Sequence, residues 1–256
     1  MVDPDAVFCH ESAAALLGLP GFGDPVTVHV LRNPGATARV TGGVRTHTSD
    51  TPRELTELEG MGLTTATETA VDLARSRQPA LALAVADAVL RLDPGIAVEG
   101  LVAANESRAS SRGRRQARWA LHRATAQAET ALESVSRAVV EWLGFPDPVL
   151  QHWFTSSSGE RDRADMWWPD DKVIGEADGD LKYDGRFGDP VLLLRARRRR
   201  DARLREQVRS VAHWAWDEVV QFPQLRSILL GSGLRRIRVE DTARLFELRR
   251  VLAPVR

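Results

Sequence analysis

Between Thr130 and Gly231 the spacing of apolar residues switches from helical to extended and back, and this order restricts the fold more than any other feature. Residues 130–143 place Leu132, Val135, Val139 and Trp142/Leu143 on one side of a helix that Gly144 and Pro146 close. Residues 151–155 read as a strand and 156–159 as a turn. Residues 163–168 and 172–178 read as a hairpin around Pro169-Asp170-Asp171. A strongly basic helix is expected over 191–208, a strand over 210–216 and a closing helix over 223–231. Helix, three strands, helix, strand, helix is the pattern of an α/β (α+β) sandwich.

The first half differs. Residues 10–19 read as a short helix, 26–31 and 44–48 as strands between Gly/Pro/Asn clusters, and 64–74 and 79–92 as helices. Residues 106–118 (ESRASSRGRRQAR) hold five arginines and no acid after Glu106, which fits a linker or a helix start with a basic face. The expected organisation is therefore a smaller N-terminal α+β domain (1–107), a basic segment (108–127) and a second domain (128–256). The formal charge of zero hides an asymmetry: residues 1–107 hold 14 acids and 7 bases, and the remainder 21 acids and 28 bases. An acidic module joined to a basic one keeps an anionic partner such as DNA open.

Composition excludes other classes. One cysteine, Cys9, cannot form an internal disulfide, so a reducing cytoplasm is expected. The first thirty residues show no secretory signal. The apolar run at 79–90 is too short to span a bilayer, so no membrane partner is expected. No Cys/His group has zinc spacing; His10, His29, His47 and His213 read as structural or surface residues, and Cys9 as a small core residue.

Glu133, Asp165, Glu176, Asp178 and Lys182 stand out. Glu176 and Asp178 are two apart on one strand and share a face, and the hairpin sets Asp165 opposite residues 175–176. Carboxylates facing one another across strands repel, and Mg²⁺, or Mn²⁺, held by Asp165, Glu176 and Asp178 would relieve the repulsion and activate water. A lysine beside them suits proton transfer, and only two of the 35 bases, Lys172 and Lys182, are lysines. The alternative is a solvated sheet margin, with Glu133 closing a helix capping box with Thr130.

Leu132-Glu133-Ser134, Arg163-Ala-Asp165, Glu176-Ala-Asp178-Gly179-Asp-Leu-Lys182-Tyr183 and the arginine-rich helix leading to His213-Trp-Ala-Trp216 together resemble the DUF559/very-short-patch-repair-like branch of the PD-(D/E)XK nucleases. The resemblance covers about residues 128–230. It implies a restriction-endonuclease-like mixed sheet flanked by helices, with Glu133 as helix acid, Asp165, Glu176 and Asp178 as strand acids, and Lys182 as the basic position. The superfamily's lysine follows the second acid by two residues, a place held here by Asp178. The first half, with Phe8-Cys-His-Glu-Ser12, the Val28-His-Val strand, Val44-Arg-Thr-His47 and the helices around Val71 and Ala86, is similar to AbiEi-type antitoxin/transcriptional regulators of actinobacterial kind. Relative to them an N-terminal winged helix is expected to be either missing or cut away.

Two functions follow as expectations. One is metal-dependent DNA endonuclease activity, with Arg197, Arg198, Arg199, Arg200 and Arg203, joined by Arg114 and Arg115, gripping phosphates. The other is a non-catalytic antitoxin or regulator whose partner is DNA, a cognate toxin or a second copy of the chain. For the arginine helix, a solvated face whose stems shield the sheet is the competing reading. Trp167, Trp168, Trp214 and Trp216 are expected in the core.

Overall fold

A computed structural model describes residues 6–22, 26–32, 38–179 and 190–252. The chain is mixed α and β and divides into two compact units, Met1–Ala131 and Leu132–Arg256. They are nearly equal in length, so the N-terminal one is not the smaller partner expected.

In the first unit six short strands, β1 (Val7–Phe8), β2 (Val28–Arg32), β3 (Arg39–Thr41), β4 (Val44–Thr48), β5 (Leu55–Leu58) and β6 (Met61–Thr64), form a mixed sheet of order β3-β4-β2-β1-β6-β5. Of these, only β2 and β4 were legible. The others run two to four residues, too short to establish a period, and β6 takes Thr64, which the helical pattern had claimed. Helix α1 (His10–Leu16) follows β1, and α2 (Ala66–Ser76), α3 (Pro79–Leu92), α4 (Val98–Ser107) and α5 (Arg114–Leu121) form a helical layer. Thr65 caps α2 by accepting from Glu68 N, and Gln78 caps α3, with Pro79 in its first turn. Every residue from Pro79 to Leu90 is buried, so the apolar run is the central helix of the layer, packed on α2 and α5.

Of the two readings of the segment 108–127, linker or basic helix, the structure has the helix, α5, within the first unit. Arg108 is only 4% exposed and pairs with Asp72 and Glu68 of α2. Gly113 turns the chain into α5 at φ +71°, where a Cβ would collide with the Arg75 carbonyl, and α5 buries Ala117, Ala120 and Leu121. Counted to the observed boundary, the first unit holds 15 acids and 13 bases and the second 20 and 22. The charge asymmetry of the sequence thus vanishes, because the arginines after residue 107 belong with the acids before it.

In the second unit α6 (Ala131–Trp142) precedes β7 (Val149–Thr155), β8 (Arg161–Trp168) and β9 (Val173–Ala177). Then come α7 (Pro190–Arg205), β10 (Ser210–Trp214), α8 (Trp216–Val220), α9 (Phe222–Gly231) and α10 (Thr242–Leu252). The sheet order is β10-β9-β8-β7; β7, β8 and β9 run antiparallel, and β10 runs parallel to β9. The period change read from the sequence is realised, with β10 two residues shorter because Trp216 opens α8. Trp168 and Trp214 flank Gly175, and their indole N–H groups donate to the Pro146 carbonyl at 2.7 Å and to Ser136 Oγ of α6 at 2.8 Å. Trp167 is only partly buried and packs against Phe154, Ile174, Leu204 and Val211.

Candidate functional site

The hairpin register pairs Met166 with Gly175, so the next step sets Asp165 opposite Glu176, as the spacing predicts. At this step the β7–β8 ladder is irregular. Gln151 lies across from Asp165 in a left-handed conformation, φ +52°, costly for a residue with a Cβ. Asp165 accepts from the Ala177 backbone N–H at 3.0 Å, which fixes its carboxylate at the end of β9. Glu133, buried on α6, accepts from Gln151 Nε2 at 2.9 Å, so the helix acid and the strand acids meet the same irregular step.

Glu176 is 4% exposed. Burial, reinforced by the charge of Asp165, pushes its carboxyl up to about 7, although Arg200 donates to Oε1 at 2.7 Å and pulls the other way. Asp178 Oδ2 meets Arg197 at 2.8 Å and His213 Nδ1 at 2.9 Å, and His213 Nε2 lies 2.9 Å from Asp201 Oδ2 of α7. His213 reaches this position because β10 pairs with β9 at His213↔Glu176. It therefore belongs to the acidic site, between two carboxylates, rather than to a bland surface. The signal was its place four residues into a strand, but only the register could supply its partners.

On the arginine helix, three of the arginines expected to grip phosphates meet acids of the sheet and its edge. Arg197, Arg200 and Arg203 pair with Asp178, Glu176 and Asp162, at the three-residue spacing that turns one helical face onto the sheet. Arg198 and Arg199 are exposed, as is Arg115 of α5, whereas Arg114 donates to the Arg108 and Ser110 carbonyls. Lys182 lies outside the described residues. Among the described residues, Asp165, Glu176 and Asp178 are not a group whose ligand atoms all converge within 4.8 Å.

Such a group does occur in the first unit: Cys9, His10 and His47. Strand pairing accounts for it. Phe8 pairs with Val30 and Leu31 with His47, so β1, β2 and β4 carry Cys9, His29 and His47 to one place, and His10 opens α1 beside them. The three imidazoles line a cavity of about 750 Å³, together with Arg45, Arg75 and Arg77. Sequence spacing missed it because 18 and 17 residues separate the histidines.

Two proteins of Mycobacterium tuberculosis, the uncharacterized proteins MT2308 (strain CDC 1551 / Oshkosh) and Rv2248 (strain ATCC 25618 / H37Rv), are each 33% identical to this chain over 236 residues, 91% of this chain and 83% of theirs. The chain belongs to the MT2308/Rv2248 family. No family model matches it, and no solved structure matches. Among the described residues of this family member, no helix is long and apolar enough to cross a membrane.

Proposed function

We propose that the second unit is a metal-dependent endonuclease-like domain that hydrolyses DNA phosphodiester bonds in the cytoplasm. The observation that carries this reading is the Asp165–Glu176 pair: two carboxylates on neighbouring strands, one of them raised to about 7 by its burial and, after that, by the charge of the other. Proteins concentrate such mutually strained acids at working sites. Hard oxygen donors in this arrangement fit Mg²⁺ or Mn²⁺, which takes one or two carboxylates and leaves room for phosphate oxygens. The ion would activate water and offset phosphoryl charge. The chain's own groups do the rest. The Ala177 N–H aims Asp165, Arg200 holds Glu176 in place, and Glu133 closes the site from α6. Asp178 and Lys182 stand next along the chain, with Asp178 tied to His213. The buried, unpaired thiol of Cys9 fits a reducing compartment.

A specific observation favours a second reading, an antitoxin or regulator that binds DNA, a toxin or a second copy through the same fold. The cationic guanidinium groups of Arg200 and Arg197 already compensate Glu176 and Asp178. Incubating the protein with supercoiled plasmid and Mg²⁺ or Mn²⁺ separates the two. Metal-dependent nicking that Asp165→Ala abolishes supports the endonuclease. Retardation of DNA without cleavage, unchanged in Asp165→Ala, supports the regulator. Absence of DNA binding at low salt would leave neither standing for DNA.

A further inference from the structure

We infer that the first unit carries a zinc site built from Cys9, His10 and His47, with His29 positioning His47, and that its open coordination position faces the arginine-lined cavity.

The site is assembled by backbone pairing. The Cys9 N–H donates to the His29 carbonyl at 3.1 Å, continuing the β1–β2 ladder beyond Phe8. β2 and β4 are parallel with Leu31 beside His47 and His29 beside Arg45, which makes His29 and His47 diagonal neighbours on one face. His10 is brought in by the chain's turn into α1, where it adopts φ +50°. A left-handed conformation is unfavourable for histidine, and such strain persists where the surroundings hold a side chain to a task. Here the result is His10 Nδ1 lying 3.2 Å from Cys9 Sγ.

Distances and donor chemistry suit one metal. Tetrahedral zinc with bonds near 2.3 Å to sulfur and 2.0–2.1 Å to nitrogen sets neighbouring donors roughly 3.3–3.6 Å apart. The donors of Cys9, His10 and His47 already lie within 4.8 Å of one another. A thiolate with imidazoles selects a borderline-soft ion over Mg²⁺ or Ca²⁺. The surroundings complete the case. His29 Nδ1 is 3.0 Å from His47 Nε2, a contact that holds the His47 ring in place, and Glu11 Oε2 stands 3.2 Å from the same His29 nitrogen. Asp72 Oδ2 stands 3.8 Å from His10 Nδ1. His10 stacks on His47 at 3.8 Å, so the rings that would bind the ion are already gathered in one place. Three protein ligands and a fourth position opening onto a cavity is the pattern of a zinc site that exchanges water or an anion, and Arg45, Arg75 and Arg77 suit an anion.

The test uses the full chain, stripped with a chelator and reloaded with Co²⁺. The expected result is one tetrahedral cobalt per chain, with its bands in the visible and a thiolate-to-cobalt charge-transfer band in the near ultraviolet, all displaced by Zn²⁺. Cys9→Ser should remove the charge-transfer band, and His29→Gln should keep it while weakening zinc affinity by roughly 10–100-fold, as expected for loss of a residue that orients a ligand. Circular dichroism establishes that each variant is folded. If Cys9→Ser does not fold, the wild-type spectrum still decides, since bound cobalt without a thiolate band overturns the assignment. Failure of the wild-type chain to retain cobalt overturns it too, as does full retention in folded His47→Gln. Asp165→Ala should leave the spectrum unchanged, which keeps this site distinct from the carboxylate site of the second unit.

Discussion

Arg108→Ala tests whether the arginine-rich segment is part of the first unit's interior. The Arg108 guanidinium sits 2.5 Å from Asp72 Oδ1 and 2.5 Å from Glu68 Oε2, and it also donates to the Glu68 carbonyl at 3.1 Å. Its side chain is 4% exposed and that of Asp72 5%, so solvent screens the pair little. Removing one partner of a buried ion pair costs about 3–5 kcal/mol, because the other charge stays behind unpaired. Arg53, at 2.9 Å from Glu68 and 3.1 Å from Asp72, remains to hold both acids. The lower end of that range, about 3 kcal/mol, is therefore expected. Amide hydrogen exchange of peptides from α2 and α5 reads this unit directly. A loss of about 3 kcal/mol should speed their exchange roughly a hundredfold, while peptides from β8 and β9 keep their protection. Adding Asp72→Asn to Arg108→Ala should restore part of the loss, since it removes one of the stranded charges. Exchange in α2 altered by less than about threefold, the signature of a surface substitution worth under ~0.5 kcal/mol, would refute the burial argument.

Gly175→Ala should destabilise the second unit by about 1–3 kcal/mol through overpacking. The added Cβ would lie 2.9 Å from Trp168 Cζ3 and closer still to the Trp214 ring, two indoles held in place by their hydrogen bonds; urea denaturation followed by tryptophan fluorescence measures the shift. Glu176, raised from 4.5 to about 7, binds a proton in the folded state that the unfolded chain has already released across that window. Stability of the metal-free second unit should therefore fall as pH rises from about 4.5 to 7, and Glu176→Gln should flatten this dependence in denaturation series at stepped pH. The histidines of the first unit act with the opposite sign. His47 is lowered to about 4 by burial, so the unfolded chain takes up its proton first as pH drops below 6.5. Metal-free first unit should lose protection against hydrogen exchange between pH 6.5 and 4, and His47→Gln should reduce that loss.

Most elements of the second unit as far as α9 were legible because they are long enough to show their period: α6 repeats Leu132, Val135 and Val139, and β8 alternates Asp162, Ala164, Met166 and Trp168 as buried positions; the five-residue α8 and the terminal α10 were not read. The same regularity made Asp165 opposite Glu176 predictable. What could not be read were contacts set by docking of remote segments. His213 and Arg200 reach Glu176 and Asp178 only because β10 pairs with β9 and α7 lies across them. Cys9, His10, His29 and His47 meet only because β1, two residues long and too short to be read, falls beside β2, and β2 beside β4, in registers that no periodicity specifies. The boundary at residue 107 failed for a related reason. A run of arginines looks like a solvated linker until the acids it neutralises, Glu68 and Asp72, are seen to lie some forty residues upstream.

Strand β10 is joined to β9 through α7, so its pairing waits on closure of a loop of more than thirty residues, while β7, β8 and β9 are linked by short turns. Contacts so far apart along the chain form late in folding. Until then β9 is the outer strand of a three-stranded antiparallel sheet, and its free edge ends in Glu176 and Asp178. Charges on an exposed edge discourage pairing with the wrong chain. The final docking step brings Arg197, Arg200 and His213 to those carboxylates and closes the edge together, so the acids that would serve chemistry in the finished protein also guard it against aggregation while it is being made.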